Sequence, residues 1–157
     1  MIDCTPGTDT PKRARGDSGG ASPGLFTAVL HRWPTLLALV VVAATFGDGL
    51  PPLEPLAWLL AIMPVCYLAF GLARGEFTGR GGLGIQVAGL AGFGAVALAV
   101  LVSDGTAARY VLAAGWLGHA VWDFAHHRSG KVVPRGWSEW CCVVDLLGAV
   151  ALVVLAH

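Results

Sequence analysis

The sequence predicts an all-α protein, a polytopic transmembrane bundle of about five helices. Three observations lead there. Of the 157 residues, 55% are hydrophobic and only 13% charged, against about a quarter charged in a soluble domain, and the mean hydropathy is +0.68. The charges gather between long apolar runs rather than along them. The sign of the flanking charge also changes from one run to the next, as it does when a chain crosses a membrane repeatedly. Membrane β-strands are excluded, because the runs are too long and lack two-residue alternation. The formal net charge is zero, which leaves no basic patch for nucleic acid. The partner this composition demands is the lipid bilayer.

Residues 1–24 are rich in Gly, Ser, Thr, Pro, Asp and basic side chains. That composition cannot bury a core and reads as a disordered cytoplasmic tail. Residues 25–157 form the transmembrane helical domain. The tail is not a secretory signal, because a polar Gly/Ser/Pro stretch separates Lys12, Arg13 and Arg15 from the first long apolar run. Leu25–Leu30 is a short interfacial lead-in. The first helix is expected over Trp33–Phe46, with Pro34 suited to a first turn. It is short against the roughly 20 residues of a full span, so a crossing needs it to begin before His31 or run on to Leu50. The second is expected over Leu56–Ala73, kinked at Pro64. The third covers Gly82–Val102, the fourth Ala107–His127 and the fifth Trp137–Ala156.

Loop charges set the orientation. The N-terminal flank carries Lys12, Arg13, Arg15 and Arg32, and the first loop carries Asp48 and Glu54. The second loop has Arg74 and Arg80 against Glu76, and the third has Asp104, with Arg109 just inside the next helix. The fourth has Arg128, Lys131 and Arg135. The positive-inside rule then puts the N-terminus in the cytoplasm and His157 outside. Abundant Gly, Ala, Val and Arg suit a high-GC bacterium, so the membrane is the cell (inner) membrane. Gly84, Ala88 and Gly92 recur at four-residue spacing, which lets helix backbones approach closely. The simplest reading is an intramolecular packing face, and a homo-oligomer seam is the alternative.

Several motifs fail on context. Gly79-Arg80-Gly81-Gly82-Leu83-Gly84 matches G-x-G-x-x-G, but no strand precedes it, so no nucleotide is expected. P-loop and H-E-x-x-H patterns are missing from the sequence. Five histidines are too few for a desaturase-like di-iron site. A haem would need histidines at matching depth on two helices, and only His119 is deep. Cys4, Cys66, Cys141 and Cys142 form no C-x-x-C pair, which favours reduced, buried thiols over a redox role.

One constellation remains. At about 100° per residue, Asp123 lies about 40° around the fourth helix from His119, His126 about 20° to the other side and His127 about 80° away. These four share a face. On the fifth helix Ser138, Cys141, Cys142 and Asp145 fall within about 60° of the Asp145 direction, with Gly148 and Ala149 permitting close approach. A short loop makes the two helices antiparallel neighbours. His119 and Asp145 then reach similar depths, as do Asp123 and Cys142, with the site opening toward the cytoplasm. Each ionisable group in a membrane costs about 2.5–3.5 kcal/mol on insertion scales. They must therefore pair, bind an ion or line a wet cavity.

The candidate metal ligands are His119, Asp123, His126, His127 and Asp145, with a divalent transition metal as cofactor and zinc favoured. Sulfur from Cys141 or Cys142 would favour zinc over magnesium. Donors along one helix span more than a turn, so His119 with Asp123, or Asp123 with a terminal histidine, is the realistic pair. The plainer alternatives are an interfacial cap of His126, His127 and Arg128 and an i,i+4 hydrogen bond between His119 and Asp123. Gln86 reads as an interhelical hydrogen bond, Glu139 as interfacial and Tyr67 as packing.

The pattern H-x-x-x-W-D-x-x-H-H-R, followed by V-V-P and a last helix bearing Cys and Asp, resembles a family of small bacterial multi-pass membrane proteins of unknown function. The resemblance covers Gly115–Asp145. It implies that His119, Trp122, Asp123, His126, His127, Pro134 and Asp145 act as one unit, and it implies no activity. The leading expectation is an integral membrane protein with a cytoplasm-facing His/Asp site that binds metal and is hydrolase-like, acting on a lipid-like substrate. The alternatives are a non-enzymatic carrier or proton path, and an accessory subunit with a structural polar network.

Overall fold

The computed structural model describes residues 32–78 and 82–155. The expectations for the N-terminal tail, the Leu25–Leu30 lead-in, His31, Gly79–Gly81 and His157 lie outside the described residues. Among the described residues five helices make up the fold: α1 Trp33–Phe46, α2 Leu53–Ala73, α3 Gly82–Leu101, α4 Gly105–Ser129 and α5 Arg135–Val154. Among the described residues there is no strand.

Local chemistry sets the helix ends. Pro34 stands in the first turn of α1, where its missing N–H costs no intrahelical bond. Glu54 lies in the first turn of α2, where a carboxylate complements the positive end of the helix dipole. α2 runs on through Pro64 to Ala73. Gly130, with φ 65°, ends α4 and donates its N–H to His126 O. That left-handed position is one only glycine takes without steric cost. Next comes a tight turn in which Val133 N–H donates to Lys131 O at 2.8 Å, with Val132 at φ 68° between them. This is the strained form of a γ-turn, and it drives Val133 fully into the interior.

Three helices, α2, α3 and α5, are long and apolar enough to cross a membrane. Twenty residues rise about 30 Å, the thickness of a bilayer's hydrocarbon. The 14 residues of α1 reach only about 21 Å. α4 has the length, at 25 residues, but carries the polar groups. The surface is apolar: Val40, Ile62, Ile85, Leu98, Val121 and Val154 are all exposed, whereas Gln86, His119, Asp123, Ser138 and Asp145 are buried. A soluble fold does not leave so many large apolar side chains outside, and a lipid-facing one does.

α4 is central. It packs most extensively against α5 and also touches α3 and α2, while α2 lies on α3 and α1 on α5. The α4–α5 seam is tight because Gly148 faces the Trp116 ring, and any Cβ there would collide with it. The Trp116 indole N–H also reaches Leu56 O on α2 at 3.4 Å. Leu60, Leu112, Trp116 and Leu152 form one apolar layer. Tyr67 and Val133, with Phe77 and Trp122 against them, form a second. α1 is tied to α5 by Thr35 Oγ1, which donates to Glu139 Oε1 at 2.6 Å. The Gly84/Ala88/Gly92 stripe differs from the simplest expectation. All three residues are exposed, and a Cβ at Gly84 or Gly92 would meet open space. The α3 glycine that packs inside the chain is Gly89, against the Trp122 ring, because α3 turns that face to α4.

Candidate metal site between α4 and α5

The two apolar layers enclose a polar group. His119 and Asp123 stand one turn apart on α4, and Asp145 approaches from α5. All three are 0% exposed. His119 Nδ1 donates to Asp145 Oδ2 at 2.7 Å and lies 3.3 Å from Asp123 Oδ2. Tyr67 of α2 donates its hydroxyl to Asp123 Oδ1. The edge-on rings of Phe93 and Tyr67 hold the His119 imidazole, with centroids at 4.8 Å and 5.7 Å. Four residues from three helices thus form one hydrogen-bonded series.

The charges in this group do not balance among protein side chains. Two carboxylates meet in an apolar interior, and among the described residues their ion-pair partner is His119 alone. Two buried polar atoms of the group, His119 Nε2 and Asp145 Oδ1, have no hydrogen-bond partner among the described residues. Native interiors satisfy most such atoms, so a missing ligand is a physical explanation for both.

The donor set suits a metal ion. His119, Asp123 and Asp145 each offer one ligand atom, and these atoms lie within 4.8 Å of one another. A tetrahedral ion with bonds of about 2.0 Å requires its ligands roughly 3.3 Å apart. The 3.3 Å from His119 Nδ1 to Asp123 Oδ2 matches that, while the 2.7 Å to Asp145 Oδ2 is a hydrogen-bond length, a bond that an ion on Nδ1 would replace. Tyr67 on the second oxygen of Asp123 is the kind of outer partner that orients a ligating carboxylate.

The other sequence-derived candidates are placed differently. His126 donates from Nδ1 to Trp122 O at 2.9 Å, and its Nε2 accepts from Gln86 Nε2 at 2.8 Å. Both ring nitrogens are therefore committed, and Gln86 makes the interhelical hydrogen bond its position suggests. His127 donates from Nδ1 to Arg135 O at 3.1 Å, bracing the α4–α5 loop. Cys142 Sγ donates to Ala120 O at 3.4 Å. Neither Cys141 nor Cys142 joins the three-residue group. Ser138 is buried and donates to Arg135 O. The two polar stripes do face each other, but they do not open at the loop end. Val133 and Tyr67 close that side.

Tyr67 is the site residue that sequence reasoning misses. One signal for it exists: a tyrosine midway along an apolar helix must find a partner for its hydroxyl. Comparison of the chain with protein-family models, curated proteins and solved structures returned no match.

Proposed function

We propose that this is a multi-pass protein of the bacterial cell membrane, with its N-terminus inside and C-terminus outside, whose His119/Asp123/Asp145 group binds a divalent transition metal. One observation carries the reading: three ligand atoms of fully buried side chains converge within 4.8 Å, with no lysine or arginine among the described residues paired to either carboxylate. A divalent ion cancels two carboxylate charges that the surrounding hydrocarbon cannot solvate. One imidazole and two carboxylates favour zinc, and three protein ligands leave a fourth position open. His119, Asp123 and Asp145 would hold an ion able to polarise a carbonyl or phosphoryl oxygen, chemistry that suits hydrolysis of a lipid-like substrate.

A second reading has its own support. The unbroken series Tyr67–Asp123–His119–Asp145 would fasten α2, α4 and α5 together, or carry a proton, with no metal at all. Metal analysis of detergent-purified protein without a polyhistidine tag separates the two. Near-stoichiometric metal in the wild type, lost in His119→Ala and Asp123→Ala, supports the metal site. Metal-free wild type that remains folded leaves the polar network.

A further inference from the structure

Asp145 belongs to two features at once. It completes the polar group, and it also forms part of the wall of a cavity of about 190 Å³ between α2 and α5. Ile62, Met63 and Cys66 line the α2 side, and Trp140, Val144 and Asp145 the α5 side. Apart from His119 Nε2, the buried side-chain polar atoms lacking a partner among the described residues are Asp145 Oδ1 and Trp140 Nε1. Both residues border this one cavity. One atom accepts a hydrogen bond and the other donates. They stand five residues apart on α5, about 7.5 Å along the helix axis.

The surroundings say from where an occupant comes. On the α2 wall Ile62 is 52% exposed and Leu59 41% exposed, on a helix long and apolar enough to lie in lipid. The cavity is therefore one helix face away from hydrocarbon. Trp137 and Trp140 are shared with a larger hollow of about 620 Å³ that includes Trp33, Leu37 and Phe70. Aromatic side chains gather where a membrane meets water. Two hollows that share Trp137 and Trp140 in their walls thus lie beside α5, and Asp145 borders the smaller one.

We propose that this pair of hollows binds a single-chain lipid whose head carries a carbonyl and a hydroxyl. Its acyl chain lies in the two hollows, its carbonyl accepts from the Trp140 indole, and its hydroxyl donates to Asp145 Oδ1. The proposal names a ligand class beyond the metal reading. It depends on where Asp145 stands and not on a metal being bound.

The test uses the full chain in phosphatidylcholine liposomes and a monoacylglycerol bearing a diazirine in its acyl chain. Labelled peptides are mapped by mass spectrometry. Adducts are expected over Ile62–Cys66 and Trp140–Val144, suppressed by excess unlabelled monoacylglycerol. Trp140→Phe keeps an aromatic ring, though a smaller one, and removes the donor, so it should weaken competition about tenfold, the worth of one buried hydrogen bond. Cys66→Phe should block labelling by filling the cavity. Metal content is measured on the same samples. Labelling spread evenly over the lipid-facing helices, indifferent to competitor and to Trp140→Phe, overturns the proposal even where metal is retained. Localised, competable labelling in metal-free protein upholds it while the metal reading fails.

Discussion

His119 Nδ1 on α4 donates to Asp145 Oδ2 on α5 at 2.7 Å, joining the last two helices at a point where neither residue has any exposed surface. An ion pair so placed stabilises only while it is complete. Removing one partner leaves the other's charge in a medium that cannot solvate it. His119→Ala should therefore destabilise the protein by about 3–5 kcal/mol, measured by denaturation in detergent. A loss below 1 kcal/mol would show that the two residues are not coupled in the folded state.

Tyr67→Phe removes the hydroxyl bonded to Asp123 Oδ1 and changes little in shape. An acceptor left unsatisfied in the interior costs about 1–3 kcal/mol. Under the metal reading, loss of an outer partner should also weaken metal binding about 10–100-fold. Unchanged stability and unchanged metal affinity would remove Tyr67 from the site.

Zinc added to metal-stripped wild type should raise its thermal midpoint, because a ligand that binds only the folded state stabilises it by about 2.7 kcal/mol at a hundredfold excess over Kd. The same addition should leave Asp145→Asn unmoved. An equal rise in both would trace the effect to surface binding.

Gly148→Ala and Gly92→Ala should differ in sign. A Cβ at Gly148 runs into the Trp116 ring, whereas one at Gly92 meets nothing. The first should cost about 1–3 kcal/mol through overpacking. The second should gain roughly 0.5–1 kcal/mol from better helix propensity. Two substitutions of the same sign would contradict the close α4–α5 seam.

Reporter fusions test the crossing pattern proposed from loop charge. Those after Ser18, Gly79 and Ser129 should report the cytoplasm, and those after Gly49, Asp104 and His157 the outside. A cytoplasmic reporter at His157 would mean an even number of crossings, with α1 the first to doubt because of its 14 residues.

The sequence alone determined what repeats locally. Helix periodicity put His119 with Asp123 on one face and Asp145 on another, and a short loop made those faces meet at equal depth. The bounds Trp33–Phe46 for α1 were legible for the same reason, since apolar runs and their Pro and Gly ends are written in order along the chain. Tertiary structure decided what depends on contact between helices. α2 is apolar on every side, so no stripe indicated that Tyr67 would reach Asp123, 56 positions away. The terminal histidines sit at metal-ligand spacing, but His126 finds a backbone carbonyl and Gln86 first. The exposed α3 glycines satisfy the same spacing rule as a buried seam, and only the neighbouring helices choose between Gly92 and Gly89. In lipid the apolar faces of helices are nearly equivalent to the solvent around them. Close packing and a few polar contacts therefore select which faces touch, and neither can be read from the pattern of one helix.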